Sequence, residues 1–146
     1  MNELEEVNAI LTATQLLMND SDERFFDRFG LGITRYYTLV HLDQSPNLTL
    51  SELSQRLLCT KGNMTRILKS MEAEGLLQRR ADSMDGRAVR HMLTESGKAL
   101  LNNVRGEYHA HLEQRFSGLE LYEIDSLERI LTRFNRRLEA MLRPHE

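Results

Sequence analysis

The sequence predicts a mainly α-helical fold carrying one small β-wing, and three observations predict it. Only two prolines occur in 146 residues, Pro46 and Pro144, so nearly all of the chain is free to be helical. Apolar residues recur at three- and four-residue spacings on both sides of the middle, as amphipathic helices require. Between Leu77 and Leu93 that spacing gives way to two short runs around a polar loop, Asp82-Ser83-Met84-Asp85-Gly86-Arg87, which reads as a hairpin.

Taken in order, Leu4, Val7, Ile10, Leu11, Leu17 and Met18 predict a first helix over roughly Leu4 to Met18. Phe25, Phe26 and Phe29 follow, and Gly30-Leu31-Gly32 reads as a break. Thr34 is placed to cap a second helix carrying Tyr36, Tyr37, Leu39, Val40 and Leu42, which stops before Ser45-Pro46-Asn47. Thr49-Leu50-Ser51-Glu52 is a capping box, in which hydroxyl and carboxylate satisfy reciprocal backbone N–H groups. Leu53, Leu57 and Leu58 then define a helix of about two turns. Thr60 caps the next helix, whose buried face is Met64, Ile67, Leu68 and Met71. Gly75 sits where a left-handed residue ends that helix, with Leu76 making the accompanying apolar contact. Thr94 starts a long helix to about Phe116, broken by Ser117-Gly118. In the last helix Ile124, Leu127, Leu131, Phe134, Leu138 and Met141 alternate three and four apart, a heptad-like stripe.

Two helices joined by about three residues and followed by a hairpin form a winged helix-turn-helix. The expected organisation is a single domain. Residues 31–94 form the winged helix-turn-helix lobe, while 1–30 and 95–146 form a helical region for dimerisation. The terminal stripe, with Leu4 and Val7 of the first helix, exceeds what a compact winged helix needs to cover.

Composition narrows the class. No apolar run approaches the roughly 18 residues of a membrane span. The acidic start Met1-Asn2-Glu3-Leu4-Glu5-Glu6 has neither the basic nor the apolar region of a secretory signal. One cysteine, Cys59, excludes an intrachain disulfide and suits a reducing compartment, so a cytoplasmic protein is expected. The net charge of −3 hides an uneven distribution. Residues 47–94 carry eight basic and five acidic side chains, a balance of +3, and the remainder carries −6. A basic module in an acidic frame attracts phosphate on one face and repels it elsewhere.

The second helix of the helix-turn-helix must hide one face and offer polar side chains to the major groove of double-stranded DNA. Lys61, Gly62, Asn63, Thr65, Arg66 and Lys69 lie off the buried stripe. Asn63 and Arg66 stand one turn apart, positioned to read adenine and guanine edges, while Thr60, Lys61 and Lys69 suit phosphates. In the hairpin, Arg79, Arg80, Arg87 and Arg90 supply further cations. For any one of these residues a solvated helix face is as good an explanation; the combination is the specific signal.

On these residues the segment Leu48 to Gly97 resembles the MarR family of winged-helix regulators. The similarity runs through Leu48-Thr49-Leu50-Ser51-Glu52-Leu53, Thr65-Arg66, Glu74-Gly75-Leu76-Leu77 and Arg79-Arg80. Its most specific part is Asp82-Ser83-Met84-Asp85-Gly86-Arg87 followed by Leu93-Thr94-Glu95-Ser96-Gly97. The resemblance implies a homodimer of interlocking terminal helices whose two recognition helices read a pseudo-palindrome, most often as a repressor. It also implies that Arg87 enters the minor groove with Asp85 bracing the wing. Gly86 departs from the pattern by lacking a basic side chain, so one groove contact is expected to be missing.

Other constellations carry less. Relatives in that family bind small phenolic or aromatic effectors near the second helix, which makes Tyr36, Tyr37 and Arg35 candidates for such a pocket, with core packing the better reading of the tyrosines. Cys59 is expected to be a small buried hydrophobe rather than a redox sensor, and Met64 and Met71 core filler. Glu107 and His111, one turn apart, with His41 nearby, resemble a zinc-sensing arrangement, but Tyr36 and Tyr37 stand where ligands would be needed, so no metal or other cofactor is expected. His91 is expected on the wing surface. No phosphate loop, nucleophile motif or metal quartet supports an enzyme. A winged-helix module that binds protein is the remaining alternative, and the excess of wing and helix cations argues against it.

Overall fold

The computed structural model describes residues 2–82, 84 and 87–143. It contains two compact units, Met1–Gly106 and Glu107–Glu146. The order of elements is α1 (Glu3–Asp27), α2 (Ile33–Gln44), β1 (Leu48–Thr49), α3 (Leu50–Leu57), α4 (Lys61–Ala73), β2 (Leu77–Ala81), β3 (Val89–Leu93), α5 (Glu95–Arg115) and α6 (Leu121–Leu142). The fold is mainly helical with a three-stranded antiparallel sheet in the order β1-β3-β2, a winged helix-turn-helix.

α1 starts on a capping box between Asn2 and Glu5. It runs nine residues past the Met18 expected from periodicity, because the polar stretch after Met18 is itself helix-compatible. Asp20 and Arg24 pair one turn apart at 3.0 Å, and Phe25 and Phe26 then bury on the same helix. The break falls at Gly30, whose φ of 61° is open to glycine at no steric cost. α2 is capped at Gly32 with no side-chain bond, so Thr34 is not its cap. Thr34 lies inside the helix, where its carbonyl accepts a bond from the Thr38 hydroxyl at 2.7 Å.

The capping box at Thr49 and Glu52 forms as its spacing dictates. Leu53 is fully buried, but Leu58 departs from expectation: it is the C-cap of α3, left-handed at φ 51°, and 87% exposed. The helix must end there so that the chain can turn into α4, and a leucine in that conformation is strained. Leu58→Gly is therefore expected to stabilise the protein by about 0.5–1 kcal/mol, the left-handed penalty less the entropy glycine loses on folding. A rise in the denaturant midpoint at unchanged slope is the measurement; no rise would mean that Leu58 makes compensating contacts.

The core of the first unit gathers Phe26, Leu39, Leu42, Leu53, Met64, Met71, Leu101 and Val104 from five helices, with Leu48, Leu77 and Leu93 from the sheet. Register places Leu77 opposite Leu93, Arg79 opposite His91 and Arg80 opposite Arg90. The β1 pairing, Leu48 to His91 and Thr49 to Arg90, was invisible in a two-residue run already occupied by a cap. α5 begins on a tight seam. The Thr94 hydroxyl donates to the Gly75 carbonyl (2.6 Å), Thr94 N–H to the Leu76 carbonyl (3.1 Å), and Gly97 N–H to the Thr94 hydroxyl (3.0 Å).

Two helices leave apolar side chains uncovered within the chain. On α1 these include Leu4, Val7, Ile10, Leu16 and Leu17; on α6 they include Leu127, Ile130, Phe134, Leu138, Met141 and Leu142. Ile124 and Leu131 of the same stripe are half-buried. Among the described residues no helix is long and apolar enough to cross a membrane.

Candidate nucleic-acid interface

α4 is built to divide its surface. Thr60 caps it by accepting the Asn63 N–H at 3.1 Å. Met64, Leu68 and Met71 are buried, spaced by four and three. Lys61, Gly62, Arg66 and Lys69 are exposed on the other side, with Asn63 and Thr65 half-buried between the two. A Cβ placed on Gly62 would meet nothing within 4 Å, so this chain itself does not require a glycine there. The Arg66 guanidinium donates to the Asn63 side-chain oxygen, and the Thr65 hydroxyl donates to the Lys61 carbonyl at 2.8 Å. Asn63 and Arg66 thus form one preset unit rather than two independent readers.

Glu52, Glu72, Glu74 and Asp82 are matched by arginines. Arg79 pairs with Glu72 at 2.9 Å. Arg90 lies 2.9 Å from Asp82 and 3.8 Å from Glu52. Arg35 of α2 pairs with Glu74 at the end of α4. Pairs this exposed contribute little stability, about 0–1 kcal/mol each, but they decide where charge is available. Lys61, Arg66, Lys69 and Arg80 form no ion pair among the described residues. Of the four wing cations named from sequence, Arg79, Arg80 and Arg87 are exposed and Arg90 is half-buried, and carboxylates pair with Arg79 and Arg90. Asp85 and Gly86, where the wing brace and the missing basic contact were placed, lie outside the described residues.

His91 is not on the surface as expected: it is 6% exposed. Its side chain lines a cavity of about 160 Å³ between α4, the start of α3 and the sheet, together with Thr65, Leu68, Lys69, Glu72 and Arg79. Its place in a wing strand suggested the surface, but it shares the strand face of buried Leu93 and lies against side chains of α4. Burial lowers its pKa below the usual histidine value, Glu72 opposing and Arg79 reinforcing. His41 is lowered too, by burial and by Arg56. Both rings therefore take up a proton less readily in the fold than in the unfolded chain. Stability is therefore full above about pH 6.5 and falls as the pH drops from there toward the depressed folded values. Denaturation at pH 7.5 and pH 5.5 should show this loss, and His91→Leu should reduce it. An unchanged pH dependence in that variant would remove His91 as its source.

The remaining candidates separate. Tyr36 is buried, stacked on Phe26 at 4.6 Å and edge-on to Tyr37 at 5.3 Å, so it is a core residue. Burial raises its pKa, opposed by a hydrogen bond and the charge of Arg105. Tyr37 is half-buried. Cys59 is half-buried rather than buried, its Sγ 3.4 Å from the Thr60 carbonyl and 3.9 Å from Met64 Sδ. His111 stacks on Tyr108 and lies 3.3 Å from Arg115. No group of three His, Cys, Asp or Glu among the described residues is arranged to hold a metal.

A helix-turn-helix followed by a wing, with a cationic second helix facing outward, defines the class of fold: a winged helix-turn-helix. The chain is 34% identical over 114 residues to the transcriptional repressor MprA of Escherichia coli, an alignment covering 77% of this chain and 65% of that protein, a little under two thirds of its length. It is 25% identical over 124 residues to the regulator MhqR of Bacillus subtilis, covering 85% and 86%. The solved structure of Streptococcus pneumoniae FabT in complex with DNA superposes at TM-score 0.79 with 25% identity, over 95% of this chain and 99% of that one. AbsC of Streptomyces coelicolor gives 0.86 at 22% identity, covering 96% and 97%, a likeness of fold. The MarR family model matches residues 29–88. Over residues 29–88 the chain is similar to the MarR family, and the relatives it matches are regulators rather than enzymes.

Proposed function

We propose that this chain is a DNA-binding transcriptional repressor that acts in the cytoplasm as a homodimer on a pseudo-palindromic operator. The observation that carries the reading is the outer face of α4, where Lys61, Arg66 and Lys69 stand exposed and, among the described residues, without ion pairs, while neighbouring acids are held by other arginines. FabT, of the same fold, is solved with DNA, and MprA is a repressor. In this reading Asn63, Thr65 and Arg66 read the major groove, Thr60, Lys61, Lys69 and Arg80 hold phosphates, and Arg87 enters the minor groove; Gly62 lets the helix start approach closely. Residues 31–94 form the DNA-binding lobe and the flanking segments the dimer. A small aromatic effector would have Tyr37 as its wall, since Tyr36 belongs to the core.

A gel shift on DNA upstream of its own gene tests the reading. A complex that resists competitor DNA and weakens with salt is expected; its absence would count against DNA binding. Arg66→Ala should cost about 1–3 kcal/mol of binding and relax base preference at one position of each half-site. A uniform loss across sequences would make Arg66 a phosphate contact instead.

A further inference from the structure

Arg90 sits at the crossing of four segments. Its Nε donates to Asp82 Oδ2 at 2.9 Å. One Nη donates to the Asn47 carbonyl at 2.8 Å and lies 3.8 Å from Glu52 Oε1. Each partner has a second bond that carries the connection onward. The other oxygen of Asp82 accepts the N–H of Met84 in the wing loop at 2.9 Å, and the Asp82 N–H closes the hairpin on the Ala88 carbonyl at 2.8 Å. Asn47, left-handed at φ 71°, donates its own N–H to the His91 carbonyl at 3.1 Å. Glu52 belongs to the cap of α3. One guanidinium therefore ties the wing loop to the turn before β1 and to the first helix of the helix-turn-helix. The side chain is about a third exposed and the Asp82 side chain only 13% exposed.

We propose that Arg90 is a positioning residue, a clamp that fixes the angle of the wing loop carrying Arg87 against the helix-turn-helix and that makes no contact with nucleic acid. The inference rests on the DNA-binding reading above. An arginine suits the task because its planar fork holds a carboxylate and a carbonyl on separate nitrogens in a fixed geometry, whereas a lysine is a single point charge on a flexible stem. The clamp adds a side-chain tie to the strand pairing of β2 with β3 that leads into this loop.

The test combines a cycle in DNA with a measurement that needs none. On an operator with A·T-rich flanks, Arg87→Ala should weaken binding about tenfold in the natural chain and about twofold or less in an Arg90→Ala background, since the two act through one wing. Asp82→Asn should weaken binding as Arg90→Ala does, although it removes negative charge. Arg90→Lys should behave as Arg90→Ala. Without DNA, trypsin should nick after Arg87 faster in all three variants than in the natural chain, with the helical circular dichroism unchanged. Additive losses in the cycle, tighter binding by Asp82→Asn or full rescue by Arg90→Lys would make Arg90 a phosphate contact and overturn the proposal. Unchanged digestion would overturn the clamp whatever the DNA result. A natural chain that binds no duplex would sink the DNA-binding reading, leaving digestion to decide the clamp alone.

Discussion

Gly97→Ala should destabilise the protein by about 3 kcal/mol or more, the upper end of the cost of forcing atoms into a packed site. A Cβ at position 97 would stand on the carbonyl oxygen of Leu76, well inside van der Waals contact, and 3.2 Å from its carbonyl carbon. Neither side can yield cheaply. The Leu76 carbonyl already accepts the Thr94 N–H, and Gly97 N–H is bound to the Thr94 hydroxyl, so relief for one contact breaks another. The obstacle is backbone rather than the end of a flexible side chain. Thermal unfolding should show a fall of several degrees, at about 2–4 °C per kcal/mol for a chain of this size. An unchanged midpoint would mean that α5 does not start against the end of the recognition helix. Gly106, where a Cβ meets nothing within 4 Å, supplies the control: alanine there should be neutral or stabilising.

Phe134→Asp should convert the protein from dimer to monomer at micromolar concentration. Phe134 is 40% exposed in the single chain and lies on the α6 stripe with Leu127, Leu138 and Met141. If a second copy covers that stripe, a carboxylate placed there is buried without a partner, at about 3 kcal/mol or more per site. That is on the order of 100-fold or more in the dimer dissociation constant. Sedimentation should give twice the 17.0 kDa chain mass for the natural protein and the chain mass for the variant. Helical content should survive, because the residue is on the surface of its own chain. A natural chain that sediments as a monomer, or a variant that stays dimeric, would reject the stripe as the dimer contact.

The helix-turn-helix was legible because its punctuation is local. Thr49 with Glu52, Thr60, Gly75 and Thr94 each act on neighbours within a turn or two, and each took the expected place. The division of α4 was equally readable, since Met64, Leu68 and Met71 obey one period. The misreading at His91 and the carboxylate pairing of Arg79 and Arg90 have another origin. Whether a strand face is wet depends on which helix lies over it, and whether a cation is available depends on which carboxylate the fold brings to it. Glu72 meets Arg79 across seven residues and Asn47 meets Arg90 across forty-three, and no window of sequence displays either. Leu58 misled for a different reason: its apolar spacing placed it in the helix, but the chain reversal before α4 set its backbone first.

Because α4 commits Met64, Leu68 and Met71 to the interior and leaves Lys61, Gly62, Arg66 and Lys69 outside it, substitutions among the outer four should move stability by no more than about 0.5 kcal/mol. A duplicated copy of the gene could then drift toward a new operator one side chain at a time without passing through an unfolded intermediate. Asn63 and Arg66 are the exception. Bonded to each other, they are under pressure to change as a pair, so descendants that differ at one of them should tend to differ at both.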